Sequence, residues 1–265
     1  MINSSLCFEA SGVKLSLGNV TVTNNRIFNA NDGILLRGVS GTATLTDTFV
    51  DGVADAGIDV YAGGTSVLNA TISGNTVRNT TTEGIYIRAS DNSRVTATIS
   101  DNQLNRVNDG IYLQTRGQAE LNATISGNQI ADVATYDGVS IFARNNSRVN
   151  ATISGNTVTR TANDGITTKS YDNARVSATI SGNTVANAAG DSFEIYQTAM
   201  GASCVSISGN QSIAPANRNF LFENTSAMAL EIIGGLASVN ANNMPVNSVV
   251  TVGGGAFNTV AGCPF

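Results

Sequence analysis

One stretch, Asn69-Ala70-Thr71-Ile72-Ser73-Gly74-Asn75, is rewritten along the chain at intervals of 26 to 28 residues. Further copies begin at Thr96, Asn122, Asn150 and Ser177, and a decayed one runs from Cys204 to Asn210. Fainter forms lie upstream at Thr44-Leu45-Thr46 and Thr21-Val22-Thr23. A unit this short cannot bury its own apolar face, so successive units must stack. The 265 residues therefore read as one elongated solenoid rather than two globular domains.

A second motif keeps fixed phase with the first: Gly33-Ile34, Gly57-Ile58, Gly84-Ile85, Gly110-Ile111, Gly138-Val139, Gly165-Ile166 and Ser192-Phe193. From Gly57 onward the isoleucine of the Ala-Thr-Ile-Ser strand follows the glycine position by 15 residues. Each coil thus contains strand one (84–88 in one copy), a polar turn, strand two (95–100), a Gly-Asn corner and a short third strand. That third strand is expected to end at Val77, Leu104, Ile130, Val158 or Val185. Strands one and two alternate with period two, so Ile85, Ile87, Val95, Ala97 and Ile99 point inward. Tyr86, Arg88, Thr96, Thr98 and Ser100 point outward. Stacking in register predicts columns of like residues about 4.8 Å apart. One is Ile72, Ile99, Ile125, Ile153, Ile180 and Ile207. Another is a corner ladder of Asn75, Asn102, Asn128, Asn156, Asn183 and Asn210, whose amides can bond each other and the backbone. No proline precedes Pro215, as expected where every strand donates to neighbours on both sides.

The reading is all-β: a parallel β-helix of about eight coils, three strands per coil, over residues 12–213. Residues 1–11 form an N-terminal edge, read as a truncated cap or as an edge that meets a partner. From Ala214 the period is lost, and 214–265 is expected to cap the stack. It would carry strands near Phe220–Phe222, Ala229–Ile233 and Ser248–Val252 and a short helix around Leu236–Asn243.

The pattern Asn-x-Val/Ile, a short spacer, Gly-Ile-x-Ile/Leu, then Ile-x-Gly-Asn resembles the right-handed parallel β-helix repeat of carbohydrate-binding proteins and sugar hydrolases. Residues 102–113 and 156–166 carry it most cleanly, and it covers the repeats through Asn210. The resemblance implies a right-handed solenoid. It also implies a substrate groove along one sheet's outer face, in a fold shared by polysaccharide lyases, glycosidases, tailspikes and adhesin-like surface repeats.

Chemistry is limited by what the chain lacks. It has no histidine, which removes imidazole acid–base mechanisms, and its three scattered cysteines offer no zinc-ligand spacing. Net charge is −5, which disfavours nucleic acid. No apolar run is long enough to insert in a membrane, and the first thirty residues show no signal-peptide pattern. The expected location is extracellular or at a cell surface, as part of a longer precursor. Of three cysteines, Cys7 and Cys204 lie too far apart to bridge; Cys204 can pair with Cys263 if the C-terminal segment folds back.

The outer face of strand one is the varied surface. Its candidate ligand-binding residues are Arg37, Tyr61, Tyr86, Arg88, Tyr112, Phe142, Lys169 and Tyr196. Asp59, Tyr86 and Arg88 are the catalytic candidates, since an acid, a tyrosine and an arginine on adjacent coils suit a uronate or proton abstraction. The alternative is an ordinary solvated sheet face. Before the glycine of most coils runs an acidic column, Asp32, Glu83, Asp109, Asp137 and Asp164, with Asp191 in the equivalent place before Ser192. It reads as Asp-Gly turn chemistry with glycine at positive φ; calcium held by Asp109, Asp137 and Asp164 is the alternative, and no other cofactor is expected. Outside strand two, Thr71, Thr98, Thr124, Thr152 and Thr179 form a charge-free hydroxyl column beside Ser73, Ser100, Ser126, Ser154 and Ser181. That array resembles the ice-contacting faces of antifreeze solenoids and also suits self-association. The functional expectation is a non-enzymatic solenoid offering a rigid face to a polysaccharide or surface protein. A polysaccharide lyase or hydrolase is the second reading, and an ice-binding or structural solenoid the third.

Overall fold

The computed structural model describes residues 13–15, 18–245 and 248–263. The expected N-terminal edge over 1–11 and Cys7 lie outside the described residues. Three parallel sheets run the length of the molecule, with ten strands in each of sheets one and two and eight in sheet three. The chain visits them in turn, one strand of each per coil. In the coil from Glu83 these are Glu83–Ala89, Arg94–Ser100 and Gln103–Val107.

Register follows the repeat. Ile72, Ile99, Ile125, Ile153, Ile180 and Ile207 pair in sequence, as do Ala70, Ala97, Ala123, Ala151 and Ala178. Both columns are buried and belong to one core that extends from Val20 to Val239. Because a one-residue slip would turn every isoleucine outward, the alternation fixes the stacking.

The corner asparagines hold the coils together. Asn128 is fully buried; its Nδ2 donates to the carbonyls of Ile99 (3.0 Å) and Ser126 (3.1 Å) and to Asn156 Oδ1 (2.9 Å). Its own Oδ1 accepts from the Asn102 backbone N–H (3.0 Å) and Asn102 Nδ2 (2.9 Å). The ladder extends beyond the expected six. Asn243 continues it past Asn210, and Thr48 replaces asparagine before Asn75. The residue immediately before each of the six asparagines from Asn75 to Asn210 turns the chain at positive φ: Gly74, Gly127, Gly155, Gly182 and Gly209, with Asp101 at φ 57° before Asn102.

Glycine before strand one has a different cause from the one the Asp-Gly pattern suggests. Gly84, Gly110, Gly138 and Gly165 do not take positive φ. A Cβ on Gly110 would collide with the Gly138 carbonyl oxygen and stand 2.8 Å from Ile130 Cγ2. Close approach of coils, not turn conformation, excludes a side chain there.

Third strands run further than expected. Thr76–Thr80, Gln103–Val107, Gln129–Val133 and Thr157–Thr161 continue past Val77, Leu104, Ile130 and Val158. They do so through one residue at positive φ (Asn79, Arg106, Asp132, Arg160), which re-aims the chain so that Thr80, Val107, Val133 and Thr161 are buried.

The coil count also differs from about eight. After Ala214 the strands Phe220–Ser226 and Val249–Val252 extend sheet one, and Leu230–Ile233 and Phe257–Val260 extend sheet two. Stacking thus continues through the segment where the period fails. The helix Gly235–Asn242 lies between strand two and the corner, so Asn210 and Asn243 are 33 residues apart instead of 26 to 28. Cys204 and Cys263 are disulfide-bonded, tying the last coil to an inner strand of sheet two.

Candidate functional site on the outer face of sheet one

Strand-one registry places the candidates in two columns. Leu35, Asp59, Tyr86, Tyr112, Ser140, Thr167 and Glu194 form one; Arg37, Tyr61, Arg88, Gln114, Phe142, Lys169 and Tyr196 form the other. The first column is largely closed off from solvent, while the second is half-buried or exposed except at Gln114. Asp59, Ser140, Thr167 and Glu194 are buried, because longer side chains of the second column and the acidic row close over them.

Asp59, Tyr86 and Arg88 come together. Arg88 Nη2 donates to Asp59 Oδ2 at 2.6 Å, and its guanidinium lies between the Tyr61 ring (5.3 Å) and the Tyr86 ring (4.8 Å). Burial raises the Asp59 pKa although Arg88 opposes the shift, and burial likewise raises that of Tyr86. Arg37 is exposed one coil away, where its charge reaches Asp59.

From Tyr86 the rings continue along the axis. Tyr86 stacks on Tyr112 (centroids 4.9 Å), Tyr112 meets Phe142 edge-on (5.4 Å), Phe142 stacks on Tyr171 (6.0 Å), and Tyr171 packs on Tyr196 (5.6 Å). Gln114 links two of them, accepting from Tyr86 Oη at 3.2 Å and donating to Tyr112 Oη at 2.7 Å. All are half-buried, as a strip with one face packed and one edge in solvent must be. Tyr171 was not among the sequence candidates. It sits in the turn after strand one, at the position that Arg144 holds one coil earlier, and aligning those turns would have exposed it.

From Glu83 onward the acidic residues form a row beside this strip. Its last three carboxylates reach the next coil's backbone: Asp137 Oδ1 accepts the Asp164 N–H (3.0 Å), Asp164 Oδ1 accepts the Asp191 N–H (2.8 Å), and Asp191 Oδ1 accepts the Arg218 N–H (2.9 Å). Lys169 Nζ lies 2.8 Å from Glu194 and 3.9 Å from Asp164. Burial, with the Glu194 charge adding to it, pushes Asp164 up to about 7. Burial acts to raise Glu194, but Lys169, with hydrogen bonds from Thr167 and Asp164, lowers it on balance, and Lys169 is held up at about 12 by the carboxylates around it in spite of its burial. Asp109 is raised well above the ordinary range by burial, then by Asp137 and Glu83. Among the described residues no three such side chains are placed to share a metal ion; Asp109, Asp137 and Asp164 stand in line instead.

Between row and strip lies a cleft of about 290 Å³ lined by Glu83, Asp109, Asp137, Tyr112, Phe142 and Tyr136. Tyr136, 56% exposed, forms its outer rim. Sequence reading missed Tyr136 because it belongs to the variable turn before the glycine, where coils differ in length.

The family model described as "Right handed beta helix region" matches residues 66–243, two thirds of the chain. The protein belongs to the right-handed β-helix family. No curated protein and no solved structure matches it. Family membership sets the hand of the solenoid; the cleft and strip are features of this chain's own residues. The hydroxyl array on the outside of sheet two is also in place on this β-helix, with Thr98, Thr124, Thr152 and Thr179 exposed in register. Among the described residues no helix is long and apolar enough to cross a membrane.

Proposed function

We propose that the chain is a non-enzymatic extracellular or cell-surface solenoid that holds a glycan chain along the outer face of sheet one. The observation that carries this reading is the line of rings from Tyr86 to Tyr196 beside a cleft walled by carboxyls. Aromatic faces pack on the apolar C–H faces of pyranoses, and carboxyls accept from their hydroxyls. Coils spaced about 4.8 Å apart repeat on the scale of a sugar unit. The disulfide supports an oxidising compartment. Arg88 already faces Asp59, which favours a neutral chain over a uronate at that coil. Affinity electrophoresis through neutral, acidic and amine-bearing polysaccharides tests the reading. Tyr112→Ala and Phe142→Ala should each weaken retention about tenfold on the retained glycan; equal mobility of wild type and both variants in every gel refutes it.

Hydrolysis of the bound glycan is the second reading, and Asp109 favours it. A carboxyl whose pKa burial raises, beside a second carboxyl, Glu83, within a cleft is the kind of pairing that glycoside hydrolysis uses. It predicts new reducing ends with the wild type and none with Asp109→Asn.

A further inference from the structure

Charge pairing along this face is uneven. Asp59 has Arg88, Asp191 has Arg218, and Asp164 and Glu194 share Lys169. Among the described residues Glu83, Asp109 and Asp137 enter no ion pair. These three are the carboxyls that line the cleft. Lys169 is felt at Asp137, but its ammonium is engaged by Glu194.

Asp109 has the least support. Only 8% of it is exposed, and its side-chain donor is the Ser140 hydroxyl at 3.4 and 3.5 Å, the limit of a useful hydrogen bond. The neighbouring Gly110 amide donates to the Asp137 carbonyl at 2.9 Å, and Asp137 and Glu83 repel the Asp109 charge. A cation entering the cleft would relieve that repulsion and supply short, charge-assisted donors. A bare metal ion does not suit, since the carboxyls do not converge. A cation carried on a body with apolar faces does: Tyr112, Phe142 and the exposed ring of Tyr136 wall the same cleft, and ring faces attract ammonium groups. Carboxyls on successive coils recur about every 4.8 Å, which matches amines on successive units of a chain rather than one isolated amine.

We infer that the cleft at Glu83, Asp109 and Asp137 selects a glycan bearing protonated amino groups. The inference rests on the glycan-binding reading above. Binding to soluble chitosan, to its N-acetylated oligomers, to a neutral cellulose-type oligomer and to polygalacturonate, measured by calorimetry at fixed salt, separates the two. Chitosan should bind about tenfold tighter than the neutral oligomers, and Glu83→Gln or Asp109→Asn should erase that preference without changing neutral binding. Glu120→Gln, at the start of the sheet-two strand Glu120–Ser126 and outside the cleft, controls for general attraction to an acidic protein and should leave the preference intact. Equal affinity for amine-bearing and neutral chains, or a preference that survives Glu83→Gln and Asp109→Asn, overturns the inference and leaves the glycan-binding reading standing. Failure to bind all four probes overturns both. Asp109 is buried, so Glu83→Gln, at a half-buried residue, carries the test if Asp109→Asn does not fold.

Discussion

Replacing Asn128 with alanine removes the central rung of the corner ladder. Three backbone groups would lose a bond that the side chain supplies: the Asn102 N–H, held by Asn128 Oδ1 at 3.0 Å, the Ile99 carbonyl, held by Nδ2 at 3.0 Å, and the Ser126 carbonyl, held by Nδ2 at 3.1 Å, the last of which keeps the Asp101 N–H as a donor. The bond from the Asn128 N–H to Asn156 Oδ1 survives, because it uses the backbone. Each buried group left unsatisfied costs about 1–3 kcal/mol, so Asn128→Ala should cost about 4 kcal/mol. Thr48 shows what a shorter polar side chain does at the same place: its Oγ1 donates to the Thr46 carbonyl at 3.1 Å, and the Asn25 N–H reaches it only at 3.4 Å. Asn128→Thr should therefore lose less than Asn128→Ala. Asn128→Asp should lose most, since a buried carboxylate oxygen would face the Ile99 and Ser126 carbonyls and Asn156 Oδ1, all acceptors. Urea titration gives the order, and hydrogen exchange at the amides of Asn102 and Asn128 shows whether the loss is local. A cost under about 1 kcal/mol for alanine, or a threonine variant as weak as alanine, would refute the argument that these amides hold the coils by satisfying buried backbone.

Gly110→Ala should destabilise by about 3 kcal/mol or more, because its methyl meets a carbonyl oxygen of the next coil; a thermal midpoint within a degree of wild type contradicts this. Asp164 has its folded pKa raised to about 7 from an ordinary 3.8, so its contribution is fully present below pH 3.8 and is lost as pH rises through 7. The midpoint should fall between about pH 4 and 7, and Asp164→Asn should flatten that fall. Reducing the Cys204–Cys263 bond opens a loop of 59 residues and should loosen the last coil by up to about 4 kcal/mol, read as faster exchange of amides 249–260 with little change before Asn183. An ice-binding role for the hydroxyl face predicts thermal hysteresis that Thr124→Tyr abolishes while the circular dichroism spectrum is unchanged; no hysteresis in the wild type ends that role.

Register was legible because each coil repeats the same answer. Six isoleucines and six asparagines at one phase admit one stacking. The site was legible only where it lies on strands. Asp59, Tyr86, Arg88 and Tyr112 follow from alternation, but Tyr171 and Tyr136 stand in turns whose length varies, where alternation assigns no direction. Burial of Ser140 and Thr167 could not be read either, since it depends on how far neighbouring side chains of the second column reach across. The role of Gly110 was misread because Asp-Gly is a local turn signal, whereas the constraint comes from a carbonyl a full coil away. The final coils were hidden by six extra residues before Asn243, enough to break a search for a period of 27 although the strands on either side stay in line.

That displacement has a consequence for how the molecule can be changed. What the stack measures is not the number of residues in a turn but whether an asparagine arrives at the corner to receive the preceding one. The helix Gly235–Asn242 shows that several residues can be looped out just ahead of that position while Asn243 still meets Asn210 and both sheets go on. The corner between sheets two and three is thus a splice point. A peptide or small domain inserted just before a ladder asparagine should ride on the outside of the solenoid, leaving the opposite face, with its cleft and rings, in register.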